Sequence, residues 1–254
     1  MECELLNKDR ESLKKGKKME NTGDKIQAKN ASWTFGGDVC NKFDEHVSKS
    51  VPLYEAGHDL VLKISDFFIN DESLCYELGC STGTLTHALA KRNENKKARF
   101  IGIDIEDPMV NKAKERCKEM KSVIMKSSDI LDIEFEKSDL IIAYYTIQFI
   151  KPKNRQLLFD RIFQALNWGG AFLLFEKVRA PDARFQDMMM TIYTDYKIDQ
   201  GYTPDEIVGK TRSLKGVLEP FSTQGNRDLL TRAGFIDIMT VMKYVSFEGF
   251  LAIK

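Results

Sequence analysis

The stretch Glu77-Leu78-Gly79-Cys80-Ser81-Thr82-Gly83 decides the fold. An apolar run, Leu74-Cys75-Tyr76, leads into it, and a helical pattern from Leu85 to Leu89 leaves it. Further on, a second apolar run, Phe100-Ile101-Gly102-Ile103, ends in Asp104. A strand, a glycine turn, a helix and a strand closed by a carboxylate is how an α/β protein holds an adenosine-containing ligand. The glycines admit the ligand close to the backbone, and the carboxylate accepts hydrogen bonds from the ribose hydroxyls. A dinucleotide needs a G-x-G-x-x-G turn to seat its pyrophosphate on a helix N-terminus. Here the turn reads G-C-S-T-G, with Glu77 two residues before its first glycine. A phosphate-free cation suits that carboxylate better, so the expected ligand is S-adenosylmethionine (SAM). Glu77, Gly79, Ser81 and Gly83 are expected to form its loop, and Asp104 to hold its ribose.

Working outward, strands are expected near 73–78, 99–104, 122–127, 138–144 and 170–176, with helices near 82–92, 108–120 and 153–167. The alternation implies a Rossmann-like, mostly parallel sheet covered by helices on both faces. Two helical patterns precede it, Val39/Phe43/Val47 and Leu60/Ile64/Phe67-Phe68, separated by Val51-Pro52. Asn167-Trp168-Gly169-Gly170 reads as a helix stop before a strand at Ala171–Phe175. After a helix at 223–233, two strands at 236–245 and 247–253 predict an antiparallel C-terminal hairpin. The expected class is therefore the SAM-dependent methyltransferase fold, a seven-stranded sheet with N-terminal helices and a helical insert. That insert, 178–221, interrupts the alternation and is expected to lie over the sheet as a lid. Residues 1–30 are polar and lysine-rich and read as a disordered tail. Met19 within them is a second candidate start. Residues 31–254 are expected to form one domain.

Composition narrows the function. The 254 residues carry 38 basic and 38 acidic side chains, so no global field draws the protein to nucleic acid or an anionic membrane. Direct nucleic-acid binding is disfavoured. No run of 18 apolar residues is present, and the N-terminus carries no apolar signal core, so a cytoplasmic protein is expected. Five scattered cysteines make no disulfide framework, and no cysteine or histidine pair has zinc spacing, so no metal is expected.

More site candidates follow from position. Asp129, just past the third strand, is placed to accept the adenine amino group, with the Ile130 backbone beside it. Tyr144-Tyr145-Thr146-Ile147-Gln148-Phe149 follows the fourth strand, where open α/β sheets bind ligands, and an aromatic face suits a sulfonium. Met188–Met190, Tyr193 and Tyr196 read as packing of the lid helix, with lining of a substrate pocket as the alternative. The three histidines read as surface or capping residues, with His58, near Tyr54 in sequence, the best exception. Arg212 has a guanidinium suited to clamp a carboxylate.

Taken together, these residues resemble the family of carboxy-S-adenosylmethionine synthases over roughly 32–254. The resemblance rests on Trp33-Thr34-Phe35, Ser50-Val51-Pro52-x-Tyr54, Leu78-Gly79-Cys80-Ser81, Ile103-Asp104, Asp129-Ile130, Thr146-x-Gln148-Phe149, Glu176-Lys177, Gly201-Tyr202 and Ala233-Gly234-Phe235. It implies a methyltransferase fold that makes carboxy-SAM from SAM and prephenate for tRNA wobble-uridine modification. It also implies SAM contacts from Tyr54, Gly79, Cys80, Ser81, Asp104, Ile105, Asp129 and Ile130. Two positions depart. Tyr144 stands where the family has asparagine, and the family's carboxylate-binding arginine aligns on Thr211, one step from Arg212. The leading expectation is a SAM-dependent transferase acting on a small-molecule acceptor, with Tyr54, Tyr144 and Tyr202 on the reacting side. Three alternatives stay open. They are carboxy-SAM synthesis with Arg212 holding the carboxylate, intramolecular cyclisation of SAM releasing methylthioadenosine, and non-catalytic SAM binding as a partner of another enzyme. A homodimer through the N-terminal helices is a further open expectation.

Overall fold

The computed structural model describes residues 19–36 and 38–254. Seven strands form one sheet in the order β5-β4-β3-β6-β7-β9-β8. They are β3 (Leu74–Leu78), β4 (Arg99–Asp104), β5 (Val123–Ser127), β6 (Ser138–Tyr144), β7 (Leu166–Lys177), β8 (Asp237–Tyr244) and β9 (Phe247–Ile253). The first five are parallel, and β9 runs antiparallel between β7 and β8. The expected class is therefore the observed one, C-terminal hairpin included.

Strand alternation builds two cores. Leu74, Tyr76 and Leu78 of β3 face Leu158, Phe159 and Ile162 of α5 (Pro152–Ala165) and Leu229 and Leu230 of α8 (Thr223–Ala233). Cys75 faces the other way, toward Val61 of α2 (Tyr54–Ser65) and Leu85 and Leu89 of α3 (Thr84–Arg92). The all-buried β3, apolar on both faces, is what a central parallel strand requires. From β3 the chain winds outward through β4 and β5, then returns to add β6 on the opposite side. That reversal opens a crevice beyond the carboxyl ends of β3 and β6.

The insert holds two helices, α6 (Ala183–Asp199) and α7 (Pro204–Ser213). The second starts with Pro204 inside a capping box between Thr203 and Glu206. The helix stop expected at Asn167–Gly170 is earlier: α5 ends at Ala165, and Leu166 already pairs with Ser138. Lys254 secures the corner by donating to the carbonyls of Phe163 (2.7 Å) and Leu166 (2.8 Å), which the helix end leaves open.

The tail expected over 1–30 is also corrected. Residues 1–18 lie outside the described residues, but 19–30 contain a short hairpin, β1 (Glu20–Asn21) with β2 (Gln27–Ala28). Thr22, Ile26 and Ala28 are buried, and the hairpin lies on α7 so closely that a Cβ on Gly209 would meet the Asn21 carbonyl at 2.3 Å. Burial of Ile26 and Ala28 beside Trp33, Val39 and Phe43 orders a segment whose composition is otherwise polar. Val39 and Phe43 belong to α1 (Asp38–Ser50).

Candidate functional site

A cavity of about 890 Å³ occupies the crevice, within the range of small-molecule sites. Glu77, Gly79, Cys80, Ser81, Asp104, Ile105, Asp129, Ile130, Tyr144, Tyr54 and Tyr202 all line it. Two expected residues do not. Gly83 has φ +76°, and a Cβ there would meet Ala113 at 2.8 Å, so this glycine serves the close packing of α3 on α4 (Asp107–Arg116). Arg212 is turned away to the surface, where it donates to Glu20 at 2.9 Å. Its neighbours Lys210 and Thr211 face the cavity instead, because successive helical residues lie about 100° apart.

The loop after β3 is set by backbone needs. Gly79 has φ +76°, and a Cβ would meet the Thr146 hydroxyl at 2.3 Å. Its N–H and that of Cys80 donate to the Ile103 carbonyl, at 2.7 and 2.9 Å. Asp104 accepts from Ser81 N (2.9 Å) and Glu106 N (3.0 Å), one per carboxylate oxygen. Each oxygen keeps a further acceptor position for a ribose hydroxyl. Asp129 has one oxygen bonded to Leu131 N at 2.9 Å. Burial pushes the Glu77 carboxyl up to about 8, against the opposing pull of a hydrogen bond from Thr86. A cation placed beside Glu77 would favour its ionised form.

An aromatic wall closes this end. Tyr144 Oη donates to the Tyr54 carbonyl at 2.7 Å. The Tyr144 ring sits 5.2 Å from Tyr54 and 4.6 Å from His58. Burial lowers the His58 imidazole to about 4, so it is neutral at pH 7. The contact requires a glycine on α2, since a Cβ at Gly57 would lie 2.1 Å from Tyr144 Oη. Gly57→Ala is expected to destabilise the protein by about 2 kcal/mol, the cost of overpacking outweighing the helix propensity gained. Adding Tyr144→Phe, which removes the clashing oxygen, is expected to restore most of that loss. Urea unfolding of the single and double variants checks it, and equal losses in both would disprove the contact.

The cavity is also lined by basic groups to which the sequence reading gave no role. Lys177 at the end of β7, Lys197 on α6 and Lys210 on α7 all line it. His46, expected at the surface, is buried there. It stacks on Trp33, lies 2.5 Å from Asp24 through Nδ1 and 3.1 Å from Lys210 through Nε2. Burial and the Lys210 charge lower it to about 4. Tyr202 also binds Asp24, donating at 2.8 Å, which commits its hydroxyl to the β1–β2 hairpin rather than to a reacting atom. Tyr193 and Met190, for which pocket lining was the alternative to packing, line the cavity as well.

The donor set fits SAM: three carboxyls and two tyrosine rings in the lining suit a cationic nucleoside, and Asp104 keeps acceptors free for a diol. Among the described residues no group of three His, Cys, Asp or Glu side chains is arranged to hold a metal ion, and no helix is long and apolar enough to cross a membrane. Cys40, Cys75, Cys80 and Cys117 are unpaired and buried.

Residues 76–170 match the family model described as a methyltransferase domain. Solved structures show the same fold. They include a phosphoethanolamine N-methyltransferase of Haemonchus contortus (TM-score 0.62, 16% identity, 87% of this chain and 59% of that one). Another is human N-acetylserotonin methyltransferase in complex with SAM (TM-score 0.56, 17% identity, 80% and 52%). The protein is a SAM-dependent enzyme of the class I methyltransferase fold. Among curated proteins it is similar to the carboxy-S-adenosyl-L-methionine synthases of Staphylococcus epidermidis (36% identity, 87% of this chain and 97% of the relative) and Helicobacter pylori (32%, 90% and 97%). The chain belongs to the carboxy-S-adenosyl-L-methionine synthase family.

Proposed function

We propose that the enzyme converts SAM into carboxy-SAM, with prephenate as the source of the carboxyl group. The observation that carries this reading is that one cavity is lined both by the carboxyls at or just past the ends of β3, β4 and β5 and by three lysines without an ion pair among the described residues. Glu77, Asp104 and Asp129 lie on β3, at the end of β4 and just past β5 and suit a sulfonium nucleoside, whereas Lys177, Lys197 and Lys210 come from β7, α6 and α7 and suit an acid. A transferase for a neutral acceptor would need only the first. SAM supplies an activated methyl carbon. The protein's part is to hold both ligands in contact and to exclude water from between them. Tyr54 and Tyr144 offer ring faces to the sulfonium, and α6 and α7 cover the cavity.

Methyl transfer to a small acidic acceptor is the second reading. It is favoured by Arg212, which points to solvent and so leaves the family's arginine position to Thr211. Incubation with SAM, with and without prephenate, followed by mass spectrometry of all adenosine-containing species, separates the two. Carboxy-SAM formed only with prephenate is the expected result. Intact SAM with prephenate, and S-adenosylhomocysteine once cell extract is added, would replace it with methyl transfer. Methylthioadenosine from SAM alone would indicate intramolecular cyclisation.

A further inference from the structure

We propose that Lys177, Lys197 and Lys210 form a subsite for the carboxylates of a dicarboxylic second substrate. The inference rests on the carboxylation reading only for the choice of prephenate as first ligand.

The three lysines come from separate elements, β7, α6 and α7, and meet on one cavity wall. The Lys177 and Lys197 ammonium groups lie 4.2 and 4.5 Å from the centre of the same Tyr193 ring. Lys210 sits over the Trp33 ring and is held by His46 at 3.1 Å. Among the described residues none of the three has a carboxylate within ion-pairing distance. Lysine is rarely buried unless paired, and burying its charge without an anion is costly. Lys197 is buried and Lys177 and Lys210 are half-buried, and three unpaired lysines lining one cavity make a structural explanation poor, since apolar side chains would fill the space at lower cost.

Two further observations point to a ligand. Tyr145 lines the same cavity, and its hydroxyl, buried behind that lining, has no hydrogen-bond partner among the described residues. Lys177 stands at the carboxyl end of its strand, where open sheets bind ligands, and its backbone N–H is fixed by Gln148 Oε1 at 2.8 Å. Burial and mutual repulsion lower the Lys177 ammonium to about 7, and burial lowers Lys197 to about 8. An anion between them reverses both effects. The walls between the amines are rings, Tyr193, Trp33 and Phe247, which suits a ligand with an apolar body and separated carboxylates better than a compact phosphate.

Calorimetric titration of the SAM-saturated protein with prephenate, malonate, acetate and inorganic phosphate tests this in wild type, Lys177→Met and Lys197→Met, with Arg212→Leu as the surface control. The expected result is that both dicarboxylates bind more tightly than acetate or phosphate. Each Lys→Met change should weaken the dicarboxylates about tenfold, the loss of one charge-assisted hydrogen bond, without changing SAM affinity. SAM affinity also reports that each variant is folded. Binding of malonate but not prephenate, lost in the lysine variants, would keep the subsite and remove prephenate from the proposed function. Lysine variants that bind dicarboxylates as wild type does, a preference for phosphate, or no anion binding by wild type would each overturn the subsite.

Discussion

Replacing Asp104 with alanine is expected to raise the dissociation constants of both SAM and S-adenosylhomocysteine about 100-fold, which corresponds to two lost hydrogen bonds to a charged group at roughly 1.5 kcal/mol each. Both ligands lose equally because the ribose is common to them. The carboxylate also fixes the loop it faces, through Ser81 N and Glu106 N, so the loss includes some disorder of that loop. Asp104→Asn separates the two roles. The amide keeps one carbonyl acceptor and turns the other position into a donor, so an intermediate loss of about tenfold is expected. Calorimetry with S-adenosylhomocysteine avoids turnover. A change smaller than about threefold in Asp104→Ala would remove the ribose contact, because even one neutral hydrogen bond is worth more.

Arg155→Met is expected to cost about 2 kcal/mol of folding stability, read as a lower urea midpoint, because it removes two hydrogen bonds and leaves the Ile150 carbonyl without a donor, while the Gln148 carbonyl keeps Glu219 N at 3.0 Å. Arg155 is 1% exposed despite its charge. Its Nε donates to the Ile150 carbonyl (2.9 Å) and Nη2 to that of Gln148 (3.0 Å). Its guanidinium covers the Phe221 ring at 4.5 Å. One side chain thus joins α5, the loop after β6 and the end of the insert. Methionine keeps the apolar stem, so the loss measures the head group. A further readout follows from Gln148, whose Oε1 fixes Lys177 N: weaker binding of the acidic substrate with unchanged SAM binding. A stability loss below about 1 kcal/mol would mean that water serves the Ile150 carbonyl equally well.

The sheet was legible because its signals are local. Apolar runs, the turn G-C-S-T-G and the terminal strand pair each declare themselves within a few residues. Asp104 and Asp129 were legible for the same reason, since a polar residue just past an apolar run lies at a strand's carboxyl end. The lysine wall was not. Lys197 and Lys210 sit on helices where a single lysine ordinarily marks the solvated face. Only the fold brings them to Lys177 and to His46. Arg212 shows the same limit in reverse: chemically the better clamp, it lies one residue out of phase on α7 and meets Glu20 instead. The β1–β2 hairpin escaped notice because two-residue strands in a lysine-rich segment carry no period to read.

That hairpin bears on how the protein is made. Its backbone rests on Gly209, and Asp24 is held by Tyr202, nearly 180 residues later in the chain. During synthesis at about 5–20 residues per second, the N-terminal segment leaves the ribosome well before α7 exists. The central strands can pair as they emerge, but the wall carrying His46 and Lys210 has to wait for the last quarter of the chain. The enzyme is therefore expected to assemble the strands that face the nucleoside first and its lysine wall last, and a chain halted before α7 would lack that wall together with α8, β8 and β9.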